Sequence, residues 1–163
     1  MAKREIRIYP DDVLRQETIH VTEFAKGLHT LLDDMKETMY SAHGIGLAAP
    51  QIGELLRVTV IDVSEDGDDP LEFINPIITT KDGTVPSEEG CLSIPDFRET
   101  ITRAECVTVD AQNRHGESFQ VEADGLLAIC LQHEIDHLDG VLFIDHLSRL
   151  KREIFKKKWG KRL

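Results

Sequence analysis

The segment formed by residues 126–137 constrains the fold of this chain more than any other part of its sequence. Its first half, residues 126–131, is apolar on every side, which indicates a helix buried inside the protein. Its second half places His133 and His137 four residues apart, and such positions share one face of a helix. Buried imidazoles need partners, so the segment predicts a central helix that binds a metal ion.

Glu134 follows the first of these histidines directly. In the pattern His-Glu-x-x-His this glutamate lies beside the open coordination position of the metal, where it can accept a proton from a water molecule without binding the metal itself. The pattern therefore indicates a metal-dependent hydrolase. The alternative is two histidines that fall four apart on a helix by chance.

A catalytic site of this kind needs a third protein ligand. Metalloproteases supply it downstream, as a histidine six residues after the second one or as a glutamate about 20 residues further on. Phe143 occupies the first of these positions, and Glu153, the only acidic residue beyond Asp145, lies among lysines and arginines. We therefore predict an upstream ligand, Cys91, whose thiolate binds such metals strongly and whose neighbour Gly90 allows close approach; an ordinary buried thiol is the alternative.

The remaining patterns predict an α+β fold, because strands are separated by a few helices without regular alternation. Apolar residues from Phe24 to Met39 keep helical spacing, with Thr22 as a cap and Gly44 beyond the end. Strands are predicted at 57–63, at 71–74 before Asn75-Pro76, at 105–111, at 118–123 and at 141–144. We expect a single domain over residues 1–163. Its last helix, within 147–163, would be capped by Ser148 and packed through Leu150, Ile154 and Phe155.

Charge is distributed unevenly along the chain. Residues 147–163 contain eight Lys or Arg and one acidic residue, so they carry +7 of a formal total of −11, and residues 1–146 carry −18. An acidic body repels nucleic acid, whereas a basic tail attracts it, and we expect neither DNA nor a membrane as a partner. No apolar run is long enough to span a membrane, no signal segment is evident, and three cysteines are too few for a disulfide framework. We expect a cytoplasmic protein.

Three stretches of the chain resemble the three motifs of the peptide deformylases, in the order of that family. They are Gly44-Ile45-Gly46-Leu47-Ala48-Ala49-Pro50-Gln51, Glu89-Gly90-Cys91-Leu92-Ser93 and Gln132-His133-Glu134-Ile135-Asp136-His137. The resemblance implies mixed, mainly antiparallel sheets packed around the central motif helix, with a C-terminal helix. It also implies an enzyme that removes the N-formyl group from the first methionine of nascent polypeptides and releases formate. One divalent metal per chain is implied, natively Fe²⁺, for which Zn²⁺, Ni²⁺ or Co²⁺ can substitute.

The same resemblance implies roles for individual residues. Cys91, His133 and His137 would bind the metal, and the Gln51 amide and the Leu92 backbone N–H would stabilise the oxyanion. The residues that would contact the substrate are Ile45, Gly46, Gly90, Arg98, Ile129 and Cys130. The first two would pair with the peptide as an added strand, and the last two would line a pocket for the methionine side chain. Core packing is the alternative for those last two, and a solvated side chain is the alternative for the arginine.

The basic tail resembles the C-terminal helix of bacterial deformylases, which implies contact with ribosomal RNA through Lys156, Lys157, Lys158, Lys161 and Arg162. The alternative is that these charges only keep this face of the helix solvated. Two other functions stay open at this point. A zinc endopeptidase would cleave internal peptide bonds, and a structural metal site in a ribosome- or RNA-binding module would have no use for Glu134.

Overall fold

The computed structural model describes residues 2–162, without the side chain of Arg162. Within these residues the helices are α1 (Lys26–Ser41), α2 (Gly125–Leu138) and α3 (Arg149–Arg162). The strands are β1 (Gly46–Ala48), β2 (Val58–Ile61), β3 (Leu71–Asp82), β4 (Val85–Cys91), β5 (Ile94–Arg103), β6 (Cys106–Gln112) and β7 (Ser118–Ala123). Short 3-10 turns occur at Asp12–Arg15, Ala49–Ile52 and Phe143–His146.

The strands form two antiparallel sheets with α2 between them. One sheet has the order β1-β2-β3-β6-β7, and β4 and β5 form a separate two-stranded hairpin. On one side α2 packs Ala128, Leu131 and Ile135 against the five-stranded sheet. On the other side Asp136 bonds to Arg103 of the hairpin. The α+β fold around a central motif helix is confirmed. Strand pairing is antiparallel in both sheets, and the described residues pair in parallel at an isolated bridge between Ile19 and Leu56.

Helix α1 covers the opposite face of the β1–β2 edge with the apolar residues predicted for it. It begins at Lys26 after an N-cap, Ala25, that has no side-chain hydrogen bond, so the predicted cap at Thr22 is wrong. The reason is the conformation at Val21, one residue before Thr22. The Asn75 amide accepts from the Val21 N–H and donates to the Val21 carbonyl, which holds the chain extended before the helix.

Strand β3 continues through Asn75-Pro76, where the sequence predicted its end. The register with β6 shifts between Ile74 and Ile77, and Asn75 has a φ of +53°. A bulge of this kind accommodates proline, which cannot donate a hydrogen bond to the neighbouring strand. The predicted strand at 141–144 is also wrong. Buried Leu142, Phe143 and Ile144 look like a strand in sequence, but a 3-10 turn forms instead.

Helix α3 begins as predicted, since the Ser148 hydroxyl accepts from the Lys151 N–H at 3.3 Å. Its buried face agrees with the prediction at Phe155 and differs from it at Leu150 and Ile154. Phe155 and Trp159 are 2% and 7% exposed, whereas Leu150 and Ile154 are 72% and 42% exposed. The two large aromatic side chains lie one turn apart and bury more apolar area than the aliphatic pair would. None of the helices formed by residues 2–162 is long and apolar enough to cross a membrane.

Candidate active site

Three potential metal ligands converge between α2 and the hairpin. Cys91 ends β4, and His133 and His137 project from successive turns of α2. One ligand atom from each lies within 4.8 Å of those of the others, and the Cys91 Sγ is 3.3 Å from the His137 Nε2. Burial and the positive charge of His133 lower the pKa of His137 well below its usual value, which favours the neutral imidazole that binds metals.

The orientation of His133 is fixed from behind. Its Nδ1 lies 3.0 Å from the Glu89 Oε1, so its Nε2 points toward the Cys91 sulfur. A carboxylate on the rear nitrogen of an imidazole ligand is typical of metal sites. A thiolate and two imidazoles so arranged fit a tetrahedral ion with one position left for water. The residues present therefore fit a catalytic divalent metal.

Glu89 is itself held by a buried arginine. Both oxygens of its carboxylate accept from Arg103, from the Nε and the Nη2, at 2.8 Å each. Burial acts to raise the pKa of Glu89, but hydrogen bonds from Arg103 and His133 outweigh it and hold the pKa at about 2. Arg103 also donates to Asp136 at 2.7 Å, and Asp136 lies 2.9 Å from the His146 ring. A continuous chain of charge-assisted bonds thus supports the site.

The sequence assigned no role to Glu89 or Arg103. Glu89 lies two residues before Cys91, and that closeness along the chain is the one local signal for it. Strand alternation would not have sufficed, because the register of β4 with β5 shifts between Glu89 and Cys91. Arg103 carries no comparable signal, because only the fold brings it to α2.

Glu134 lies on α2 beside the triad and is 5% exposed. Burial raises the pKa of its carboxyl to about 7, although the positive charges of His133 and Arg103 oppose the rise. Its Oε1 has no hydrogen-bond partner among the described residues, so it is available to a reacting group. Gly46 packs against this carboxylate so closely that an added Cβ would overlap it. Glycine at position 46 therefore leaves the room that the Glu134 carboxylate occupies.

Gln51 points its amide nitrogen into the site. Its Oε1 accepts from the Ala48 N–H at 2.9 Å, which fixes the orientation of the amide group. The Nε2 then lies 3.5 Å from the Cys91 Sγ and donates to the Ser93 Oγ at 3.1 Å. A donor in this position can stabilise negative charge that develops near the sulfur ligand.

These groups open into a cavity of about 630 Å³. Among its lining residues are the sequence-predicted Ile45, Gly46, Gln51, Gly90, Cys91, Leu92, Arg98, Ile129, Cys130, His133 and Glu134. Leu126 also lines it and is exposed, so the first turn of α2 is not buried as the sequence predicted. Strand β1 is the outer strand of its sheet, so an extended peptide can pair beside Gly46. The cavity thus brings together three potential metal ligands, a carboxylate that can accept a proton and the open edge of a sheet.

A family model described as polypeptide deformylase matches residues 3–153. The chain is 51% identical to a peptide deformylase of Thermodesulfovibrio yellowstonii, with 98% of each chain covered. It is 55% identical to one of Acidobacterium capsulatum over 94% of this chain and 92% of the relative. The crystal structure of a peptide deformylase from Legionella pneumophila superposes with a TM-score of 0.93 at 49% identity, covering 98% of this chain and 95% of the other. One from Ehrlichia chaffeensis in complex with actinonin gives 0.93 at 36% identity, with 99% and 98% covered.

Proposed function

The chain belongs to the polypeptide deformylase family, and we propose how its own residues perform the reaction of that family. The reaction is the metal-dependent hydrolysis of the N-formyl group of new polypeptides, with release of formate. The observation that supports our assignment is the convergence of Cys91, His133 and His137 beside Glu134 in one peptide-sized cavity.

We assign the Cys91 Sγ and the Nε2 atoms of His133 and His137 as ligands of one divalent ion. We propose Fe²⁺ as the native ion, with Zn²⁺, Ni²⁺ or Co²⁺ able to replace it, since thiolate and imidazole suit all of them. When bound, the ion supplies a Lewis acid that lowers the pKa of water.

The protein groups then divide the work of hydrolysis. As the oxygen of the attacking water bonds to the formyl carbon, Glu134 accepts a proton from that water. The Gln51 amide and the Leu92 N–H donate hydrogen bonds to the oxyanion that forms on the formyl oxygen. As the C–N bond breaks, Glu134 passes its proton to the leaving amine, which becomes the free N-terminus of the polypeptide. Glu134 can serve both proton transfers because burial raises its pKa to about 7, so it can both accept and release a proton.

The substrate is held by its backbone and by its first side chain. The peptide pairs beside Ile45 and Gly46 at the sheet edge, chiefly through Gly46, because the Ile45 carbonyl already accepts from the Asp62 N–H at 2.8 Å. Pairing through the backbone tolerates any following residue. Ile129 and Cys130 face the part of the cavity assigned to the methionine side chain. Gly90 and Arg98 also line the cavity, and we assign them to the rest of the peptide.

Protein purified without oxygen is expected to contain iron and to release formate from formyl-Met-Ala-Ser. Exposure to air should inactivate the iron form quickly, because both Fe²⁺ and its thiolate ligand oxidise, and should spare a zinc- or nickel-loaded form. Elemental analysis and a formate assay before and after exposure to air measure both. Equal stability of all metal forms would contradict the assignment of Cys91 or of iron, and cleavage of internal peptides would indicate the endopeptidase instead.

We further propose that α3 carries a ribosome-binding face. Lys156, Lys157, Lys158 and Lys161 are exposed on it, while the Arg162 side chain lies outside the described residues. Because residues 1–146 carry −18, this face is the main surface that attracts RNA. We place the protein in the cytoplasm, where its cysteines would stay reduced; the three form no disulfide in the structure. We treat residues 1–163 as one domain, because α3 shares a core with the hairpin.

Replacing the four exposed lysines of α3 with glutamine is expected to abolish salt-sensitive co-sedimentation with ribosomes. Each lost phosphate contact reduces both the affinity and its salt dependence. Substitution is preferable to truncation, because truncation would remove the buried Trp159. A matched control replaces exposed lysines of the body, Lys3, Lys26 and Lys81, and should sediment as the parent protein does. Unchanged sedimentation of the tail variant would contradict this role.

A further inference from the structure

Helix α3 joins an aromatic cluster formed by Tyr9, Phe97, Phe143, Phe155 and Trp159. The ring centres of Phe97 and Phe155 are 4.6 Å apart, and those of Phe155 and Trp159 are 5.7 Å apart. Tyr9 contacts both α3 rings, at 5.6 and 5.9 Å. The helix is thus fixed to the body by tilted and edge-to-face ring contacts, each of which adds to plain area burial.

The aromatic cluster lies directly behind the hairpin that carries the sulfur ligand. Ile94 and Phe97 of β5 are buried in it, and Cys91 packs against the same core. Tyr9 reaches the turn of the hairpin as well, since its N–H donates to the Ser93 carbonyl at 2.8 Å. Phe143 connects the cluster to α2, with its ring 6.1 Å from that of His133.

The start of β5 lies between the cavity and this core. Residues 94–98 all line the cavity, and Ile94 and Phe97 are also buried in the aromatic core behind it. Asp96 has a φ of +65°, a left-handed conformation that costs a non-glycine residue about 1 kcal/mol or more. Such a conformation persists when the surrounding packing imposes it. The next residue, Phe97, is buried in the aromatic cluster, where its ring centre lies 4.6 Å from that of Phe155.

We propose that Phe155 and Trp159 are positioning residues for substrate binding. They complete the core behind the hairpin and so fix the cavity wall that contains Arg98. The inference rests on the proposed role of that wall in binding the peptide. It gives α3 a function within the enzyme that is independent of its basic face, because the aromatic residues and the lysines point in different directions.

The test compares Trp159→Ala with Trp159→Phe, and uses Leu150→Ala, an exposed residue of the same helix, as the matched control. Trp159→Ala should raise the KM for formyl-Met-Ala-Ser about tenfold, since small displacements of a binding wall have effects of this size. It should leave the metal content and the kcat/KM for formyl-methionine amide nearly unchanged, because that short substrate does not reach Arg98. Trp159→Phe should restore most of the loss, and Leu150→Ala should behave as the parent protein.

Arg98→Ala separates this inference from the function on which it rests, because it should also raise the KM for the long substrate alone. If Arg98→Ala has this effect and Trp159→Ala does not, the positioning role is overturned while the binding role stands. If Arg98→Ala has no effect, both are overturned. Equal losses on both substrates in Trp159→Ala, with loss of metal, would also overturn the positioning role.

Fluorescence gives a second test that needs no destabilised variant. Trp159 is the only tryptophan of the chain, so its emission reports on the aromatic cluster alone. Saturation with the product peptide Met-Ala-Ser should change the emission, and saturation with methionine amide should change it much less. Identical emission with both would overturn the coupling.

Discussion

Replacing Glu134 with glutamine is expected to lower turnover at least about 10²-fold while the metal stays bound. The amide has nearly the same shape and remains buried beside His133, but it can neither accept the proton of the attacking water nor return one to the leaving amine. The ligand atoms belong to other residues, so the metal content should match that of the parent protein.

The measurement pairs elemental analysis with the rate of formate release from formyl-Met-Ala-Ser. Glu122→Gln, an exposed glutamate on β7, controls for loss of one negative charge and should keep full activity. Full activity in the Glu134 variant would remove the assignment of this residue as the proton acceptor. Loss of the metal together with activity would instead give the carboxylate a structural role.

The central part of the site could be predicted because its signals are local. Two histidines four apart share a helix face whatever surrounds them, and the failure of both downstream completions directs attention to an upstream thiol. The structure brings Cys91 to those histidines, a long-range contact that donor chemistry and the resemblance to the deformylases had both indicated. Local periodicity, ligand chemistry and that resemblance sufficed to bring these three residues together, whereas the role of Glu134 stays a prediction.

The hairpin behind the triad could not be predicted, because its stability is tertiary. Strand β4 contains Pro86, two adjacent glutamates and Gly90, a composition that disfavours strands. One of those glutamates is stabilised by Arg103, and no local pattern announces the pair. The buried face of α3 was predicted correctly only at Phe155, for a related reason. Its hydrophobic spacing allowed two faces, and only the aromatic partners on the body select Phe155 and Trp159.

Replacing Arg103 with methionine is expected to destabilise the protein by about 3–5 kcal/mol, because it leaves a buried carboxylate without its cation. The side chains of Arg103 and Glu89 are 4% and 5% exposed, so water cannot replace the lost hydrogen bonds. Asp136 loses its second partner in the same change. Methionine fills similar volume, which confines the loss to charge and hydrogen bonding. Urea unfolding of the metal-free protein measures the free energy without a contribution from metal binding.

Arg98→Met is the matched control for that experiment, because it removes the same group from an ion pair at the surface. Arg98 bonds to Glu88, but these side chains are 61% and 68% exposed, and such pairs contribute less than about 1 kcal/mol. Adding Glu89→Gln to Arg103→Met should recover part of the lost stability, since the orphaned charge is then gone. A midpoint of unfolding that is the same for Arg103→Met and Arg98→Met would show that burial of the Glu89 pair contributes nothing. The support of His133 would then have to come from the packing of α2 alone.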